Sequence, residues 1–69
     1  MKACDLPELI TEDSCVTVTL CTVDGSATKN DFYPRFRDVL PVLNKYHNHS
    51  VEINLQSGIE IKIKGVEKL

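Results

Sequence analysis

Asp31 to His47 reads DFYPRFRDVLPVLNKYH. No other stretch of the chain is long enough and periodic enough for a substantial helix. At about 100° per residue, Phe32, Phe36, Val39, Leu43 and Tyr46 fall on one side, with Leu40 and His47 at its margin. Pro34, Arg37, Asp38, Pro41, Asn44 and Lys45 fall on the other. The pattern is amphipathic and predicts a helix over 31–47, capped by Asn30 or Asp31. Pro34 suits a first turn. Pro41 does not: in a helix interior it removes a backbone bond and clashes with the preceding turn, at about 3 kcal/mol. The helix either bends at Pro41 or breaks there, with Pro41 opening a second piece. The apolar stripe runs in register through the proline, which favours one bent helix.

The flanks read as strands. Cys15 to Val23, CVTVTLCTV, alternates Val16, Val18 and Leu20 with Thr17, Thr19 and Cys21, and β-branched residues suit a pleated, half-buried surface. Asp24-Gly25 is a hairpin signal; after it, Ser26 to Asn30 is a poor strand by composition, either a short edge strand or a loop, and the Asp-Gly turn favours a short returning strand. Beyond the helix, Val51, Ile53 and Leu55 alternate with Glu52, Asn54 and Gln56. Ser57-Gly58 then turns the chain into IEIKIK, with Ile59, Ile61 and Ile63 inward and Glu60, Lys62 and Lys64 outward. Gly65 permits a bulge or a strand end. At the N-terminus, Asp5 and Glu8 have capping-box spacing. Leu6, Leu9 and Ile10 share one side of a short helix, about 6–13.

The 69 residues therefore make a single α+β domain, 1–69. Its three- to four-stranded, mostly antiparallel sheet is covered on one face by one Pro-bent helix, a two-layer solution for a one-sided sheet. The order β–β–α–β–β resembles a β-grasp outline in architecture alone, which carries no function.

A chain this short buries only about 60% of its unfolded surface, which disfavours a large enclosed cavity and leaves a groove or a shared site. The net charge is −2. Residues 1–25 set Lys2 against five carboxylates, while residues 26–69 carry seven Lys or Arg against five acids. No export signal or membrane span is legible. Cys4, Cys15 and Cys21 are odd in number and lack CxxC spacing, so reduced thiols in a cytoplasm are expected. Cys15 and Cys21, six apart on one strand, stand about 20 Å from each other and cannot pair within it.

Chemistry-bearing motifs are sparse. His47 and His49 form an HxH pair that, with a cysteine, offers zinc ligands, but the paired knuckles of a structural site are missing. A Cys/His nucleophile lacks an electropositive pocket. The acids show no catalytic pairing, and single glycines make no phosphate-cradling loop. No catalytic residue, cofactor or metal ligand is assigned. The expected function is a small intracellular protein-interaction module, an inhibitor, adaptor or accessory subunit, working through an exposed sheet edge or helix face, with a homodimer as one form. IEIKIK is the edge this reading favours. The expected contact residues are Tyr33, Arg37 and Lys45 on the helix and Lys62 and Lys64 on the last strand. The alternative is a nucleic-acid-binding domain using the basic residues around 29–45. Asp31 and Asp38 interrupt that patch, which makes nucleic acid the weaker expectation.

Overall fold

The computed structural model of the chain describes residues 2–8, 13–56 and 58–69, with residues 7 and 8 described through their backbone alone. Four strands, β1 (Val16–Thr22), β2 (Thr28–Tyr33), β3 (Val51–Asn54) and β4 (Ile59–Val66), form one sheet in the order β2-β1-β4-β3. β1–β2 and β3–β4 are antiparallel hairpins, and β1–β4 is parallel. The result is an α+β fold built on a four-stranded mixed sheet. One sheet face is covered by a 3-10 turn, Phe36–Val39, running directly into α1 (Leu40–Lys45).

The helix expected over 31–47 is shorter than its sequence pattern. Asp31, Phe32 and Tyr33 belong to β2 instead. The residue before a proline is pushed towards extended backbone, so Tyr33-Pro34 closes a strand rather than opening a helix. Phe32, expected inward, is 67% exposed. Pro41 is resolved in favour of the break. It is the second residue of α1, in the first turn, where its missing N–H has no intrahelical acceptor to serve. The preceding turn closes through Leu40, whose N–H donates to the Arg37 carbonyl. The apolar stripe survives this change: Phe36, Val39 and Leu43 are buried, and Leu40 and Tyr46 pack partly buried against them.

The core is Val16 and Val18 of β1, Ile61, Ile63 and Val66 of β4, and Val51 of β3, closed by Phe36, Val39 and Leu43 from above and by Ala3 and Leu6 from the side. Leu20, Ile53 and Ile59 line its margin. Leu55, expected inward, is 68% exposed. β3 ends one residue before it, and the Gln56 N–H turns back to donate to Asn54 Oδ1 at 2.9 Å. The N-terminal helix expected at about 6–13 is a 3-10 turn, Ala3–Glu8, beginning three residues earlier. The Lys2 N–H donates to the Asp5 carboxylate at 3.1 Å, and the Asp5 N–H donates to the Lys2 carbonyl at 3.0 Å; the Glu8 side chain of the expected capping box lies outside what is described. Leu9 and Ile10 lie outside the described residues.

Gly65 forms the bulge. Leu20 faces Ile63 while Thr22 faces Val66, so β4 carries one extra residue there. Gly65 sits at φ +76°. The extra residue reverses the inward parity of β4, which lets Val66 enter the core after Ile63. Its carbonyl accepts from the Val23 N–H at 3.1 Å, tying the bulge to the β1–β2 loop. In that loop Asp24 Oδ1 accepts from the hydroxyls of Thr22 and Ser26, both at 2.8 Å, and from the Ser26 N–H at 3.0 Å. These bonds favour the carboxylate and lower its pKa to about 2, the Ser26 N–H contributing most.

Two outcomes follow from the bulge and the loop. Gly65→Ala should cost about 1–2 kcal/mol, because an L-residue resists positive φ. The added Cβ meets only His49 Cδ2, at 3.9 Å, so the loss is conformational rather than steric; urea unfolding should move in midpoint with an unchanged slope. For Asp24, a folded pKa below the ordinary value means that its contribution is present above pH 3.8 and is lost as pH falls towards 2. Thermal melts at stepped pH should therefore show a smaller acid-induced drop in Asp24→Asn, which keeps the accepting oxygen but does not titrate.

Candidate interaction edge and groove

The sheet order makes β2 and β3 the edges and places β4 inside the sheet. IEIKIK is therefore not an edge: its backbone is paired with β1 on one side and β3 on the other. The β3 edge has four residues, and the chain just before it is held by the N-terminal turn. Lys2 bridges Ser50, and the Ala3 and Cys4 N–H groups donate to the carbonyls of His49 and His47 at 3.1 and 3.3 Å. β2 is the longer edge, and among the described residues no backbone pairs with its outer side.

The direction of its backbone groups follows from one bond. The Thr22 N–H donates to the Ala27 carbonyl at 3.1 Å. Hydrogen-bonded pairs alternate along an antiparallel ladder, so Lys29, Asp31 and Tyr33 turn their N–H and C=O towards β1. Thr28, Asn30 and Phe32 turn theirs outward. The Val23 N–H, which reaches β4, fits the same alternation on β1.

The side chains of β2 divide by register. Thr28, Asn30 and Phe32 face the open side of the sheet with Cys21, Thr19 and Thr17. There the Thr19 hydroxyl donates to Asn30 Oδ1 at 2.7 Å. Lys29, Asp31 and Tyr33 face the helix side, opposite Leu20, Val18 and Val16. α1 is too short to cover them, so a groove of about 520 Å³ opens between β2 and α1. Val18 and Leu20 form its floor, Tyr33 and Asp31 one wall, and Pro41, Val42 and Tyr46 the other. Lys29, Lys45 and Lys68 stand around it against the single carboxylate of Asp31. Lys29 Nζ lies 4.0 Å from Asp31 Oδ2, and Lys45 Nζ lies 5.4 Å from the Tyr46 ring centroid. The Tyr33 phenol is pushed above its usual pKa, first by burial and then by the neighbouring Asp31 carboxylate.

The five expected contact residues do not form one surface. Tyr33 and Lys45 meet in the groove, although Tyr33 reaches it from β2 and is only partly exposed. Arg37 lies in the 3-10 turn, 3.9 Å from Asp13. Lys62 and Lys64 project from β4 onto the opposite face of the sheet. Lys64 donates to Glu52 across the β3–β4 hairpin and holds the Glu52 carboxyl below its usual pKa. The returning strand expected over 26–30 is present as β2, beginning at Thr28; its extension through Phe32 and Tyr33 was missed, and the signal for it was Phe-Tyr immediately before Pro34.

His47 and His49 are used locally. The His47 Nδ1–H donates to the Asn44 carbonyl at 3.1 Å, and His49 packs edge-on against Tyr46 with centroids 5.2 Å apart. Among the described residues no three His, Cys, Asp or Glu side chains gather as a metal-binding group, and no helix is long and apolar enough to cross a membrane. Comparison with protein-family models, curated proteins and solved structures gives no match.

The groove can be read optically. Ultraviolet titration should show a phenol ionising above the ordinary value of 10.0. Asp31→Asn should bring that transition part of the way back; an unchanged transition would separate Tyr33 from this carboxylate.

Proposed function

We propose that the chain is a protein-interaction module that takes an extended polypeptide segment by strand addition along β2. The observation that supports it is the outward row of Thr28, Asn30 and Phe32 backbone groups beside a groove of mixed character. Strand addition draws adhesion from main-chain hydrogen bonds and selectivity from alternate side chains. On β2, alternate residues of the incoming strand fall on the groove side. There Val18, Leu20, Val42 and Tyr46 suit apolar residues, and the excess of lysine suits a carboxylate. Inhibitor, adaptor and accessory subunit are all uses of this one geometry. A reducing compartment such as the cytoplasm suits the three free thiols.

The nucleic-acid reading gains little from the geometry. Lys29, Arg35 and Arg37 each have a carboxylate within 4.0 Å, from Asp31, Asp38 and Asp13. Affinity for phosphates rests on cations that counter-ions can leave, and these have carboxylate neighbours already.

Asn30→Pro tests the proposal. Its N–H faces outward, so the ring removes an edge donor without removing a backbone bond of the sheet, and edge strands tolerate proline in that position; the Thr19 hydroxyl loses its side-chain acceptor on the open face, so Asn30→Ala serves as the control for that loss. Peptides selected on the wild-type chain from a displayed random library should bind the variant about tenfold or more weakly, a difference of about 1.4 kcal/mol. They should also shift the amide resonances of Thr28, Asn30 and Phe32. Selected peptides that ignore Asn30→Pro, or that map to Lys62 and Lys64, would overturn it.

A further inference from the structure

We infer that the strand fitting the β2 edge is β2 of a second copy of this chain, paired antiparallel about a two-fold axis at Asn30. The inference rests on the reading of β2 as a docking edge and names its occupant. It comes from self-complementarity in Ala27-Thr28-Lys29-Asn30-Asp31-Phe32-Tyr33. A two-fold interface places the same patch on both partners, so each residue must suit its counterpart. Centred on Asn30, the antiparallel register sets Asn30 against Asn30, Lys29 against Asp31, Thr28 against Phe32 and Ala27 against Tyr33. Each pair then recurs by symmetry.

Three features fit this register, and charge selects it over its neighbours. The outward backbone groups are those of Thr28, Asn30 and Phe32, so the pairs at Asn30 and at Thr28–Phe32 are the ones that exchange hydrogen bonds. On the groove side, Lys29 meets Asp31 of the second copy twice, giving four alternating charges where each protomer has an exposed pair 4.0 Å apart. On the open side, Phe32, 67% exposed, gains Thr28 of the second copy as a neighbour. Moving the axis by one residue fails on charge: centred on Lys29 it sets lysine against lysine, and centred on Asp31 it sets aspartate against aspartate. The outward backbone groups still pair in those registers, Thr28 with Asn30 or Asn30 with Phe32, so charge rather than the backbone selects Asn30. The Asn30 register joins the two four-stranded sheets into one continuous sheet. Both copies of α1 then lie on the same face, so the two grooves meet as a trough, with Tyr33 of each copy beside Ala27 of the other.

Sedimentation velocity on the full chain decides this, in a thiol reductant because Cys4 and Cys15 are exposed and free. The wild-type mass should rise with concentration from 7.8 kDa towards twice that value. Lys29→Asp and Asp31→Lys should each stay monomeric, since each sets like charges across the axis. An equimolar mixture of the two variants should dimerise again, because every facing pair in the mixed dimer is opposite in sign. The double variant Lys29→Asp/Asp31→Lys should dimerise alone. Recovery on mixing separates charge recognition from misfolding, with circular dichroism confirming fold in each variant. A wild-type chain that stays monomeric at every concentration, or single variants that dimerise as it does, overturns the inference. If the chain is monomeric while selected peptides still depend on Asn30, the second copy is excluded and the docking edge stands. If that dependence is absent too, both fall.

Discussion

The parallel pairing of β1 with β4 governs the rest of the fold. Parallel strands need cover on their inner face and a crossover long enough to return the chain. Here the whole of β2, α1 and β3 forms that crossover. Val16, Val18 and Leu20 lie beside Ile59, Ile61 and Ile63 at the middle of the sheet, and Phe36, Val39 and Leu43 close over them. A six-residue helix is enough to cover this central pair and too short to cover more. The hairpin partners are left at the edges, β3 with the N-terminal turn beside it and β2 with an open groove. The exposed edge therefore arises from how little helix the core requires.

The fold class was legible because its apolar periodicities are strong where burial is deepest. Val16-x-Val18, Val51-x-Ile53 and Ile59-x-Ile61-x-Ile63 can satisfy only one sheet face, and Phe36-Val39-Leu43 can satisfy only a helix that covers it. The errors fall at the ends of elements. Phe32 matches the helical stripe by phase, yet it lies two residues before Pro34, and backbone restriction at Tyr33 outweighs side-chain phase. A two-residue Ser57-Gly58 turn would have set Gln56 opposite Ile59, polar against apolar, although facing residues in a hairpin share a side. The observed pairing of Asn54 with Glu60 keeps Ile53 and Ile61 together and widens the connection. That conflict was present in the sequence.

Strand order was not legible, and the candidate site depends on it. IEIKIK has the charge pattern of a solvated edge, but outward Glu and Lys mark only an open face. A central strand in a two-layer fold carries the same alternation as an edge strand. What distinguishes them is which backbone groups are paired, and side-chain pattern is silent on that point. The expected contact residues divided accordingly. Tyr33 and Lys45 reach the groove from two elements, whereas Lys62 and Lys64 stand on the far face, where Lys64 is engaged with Glu52.

Charge on an edge strand has two uses, and β2 combines them. Lys29 and Asp31 on the edge discourage a passing apolar strand, because pairing there desolvates a charge without a partner. An edge carrying lysine alone would repel its own copy when the axis falls on that lysine and would favour no other register. Lysine and aspartate two residues apart, on one side of an outward-bonding Asn30, repel when the axis falls on either charge and attract when it falls between them. In the proposed pairing the same residues would exclude most strands and admit one in one register. Specificity would then reside in the spacing of the charges rather than in their number, a spacing that β2 itself matches.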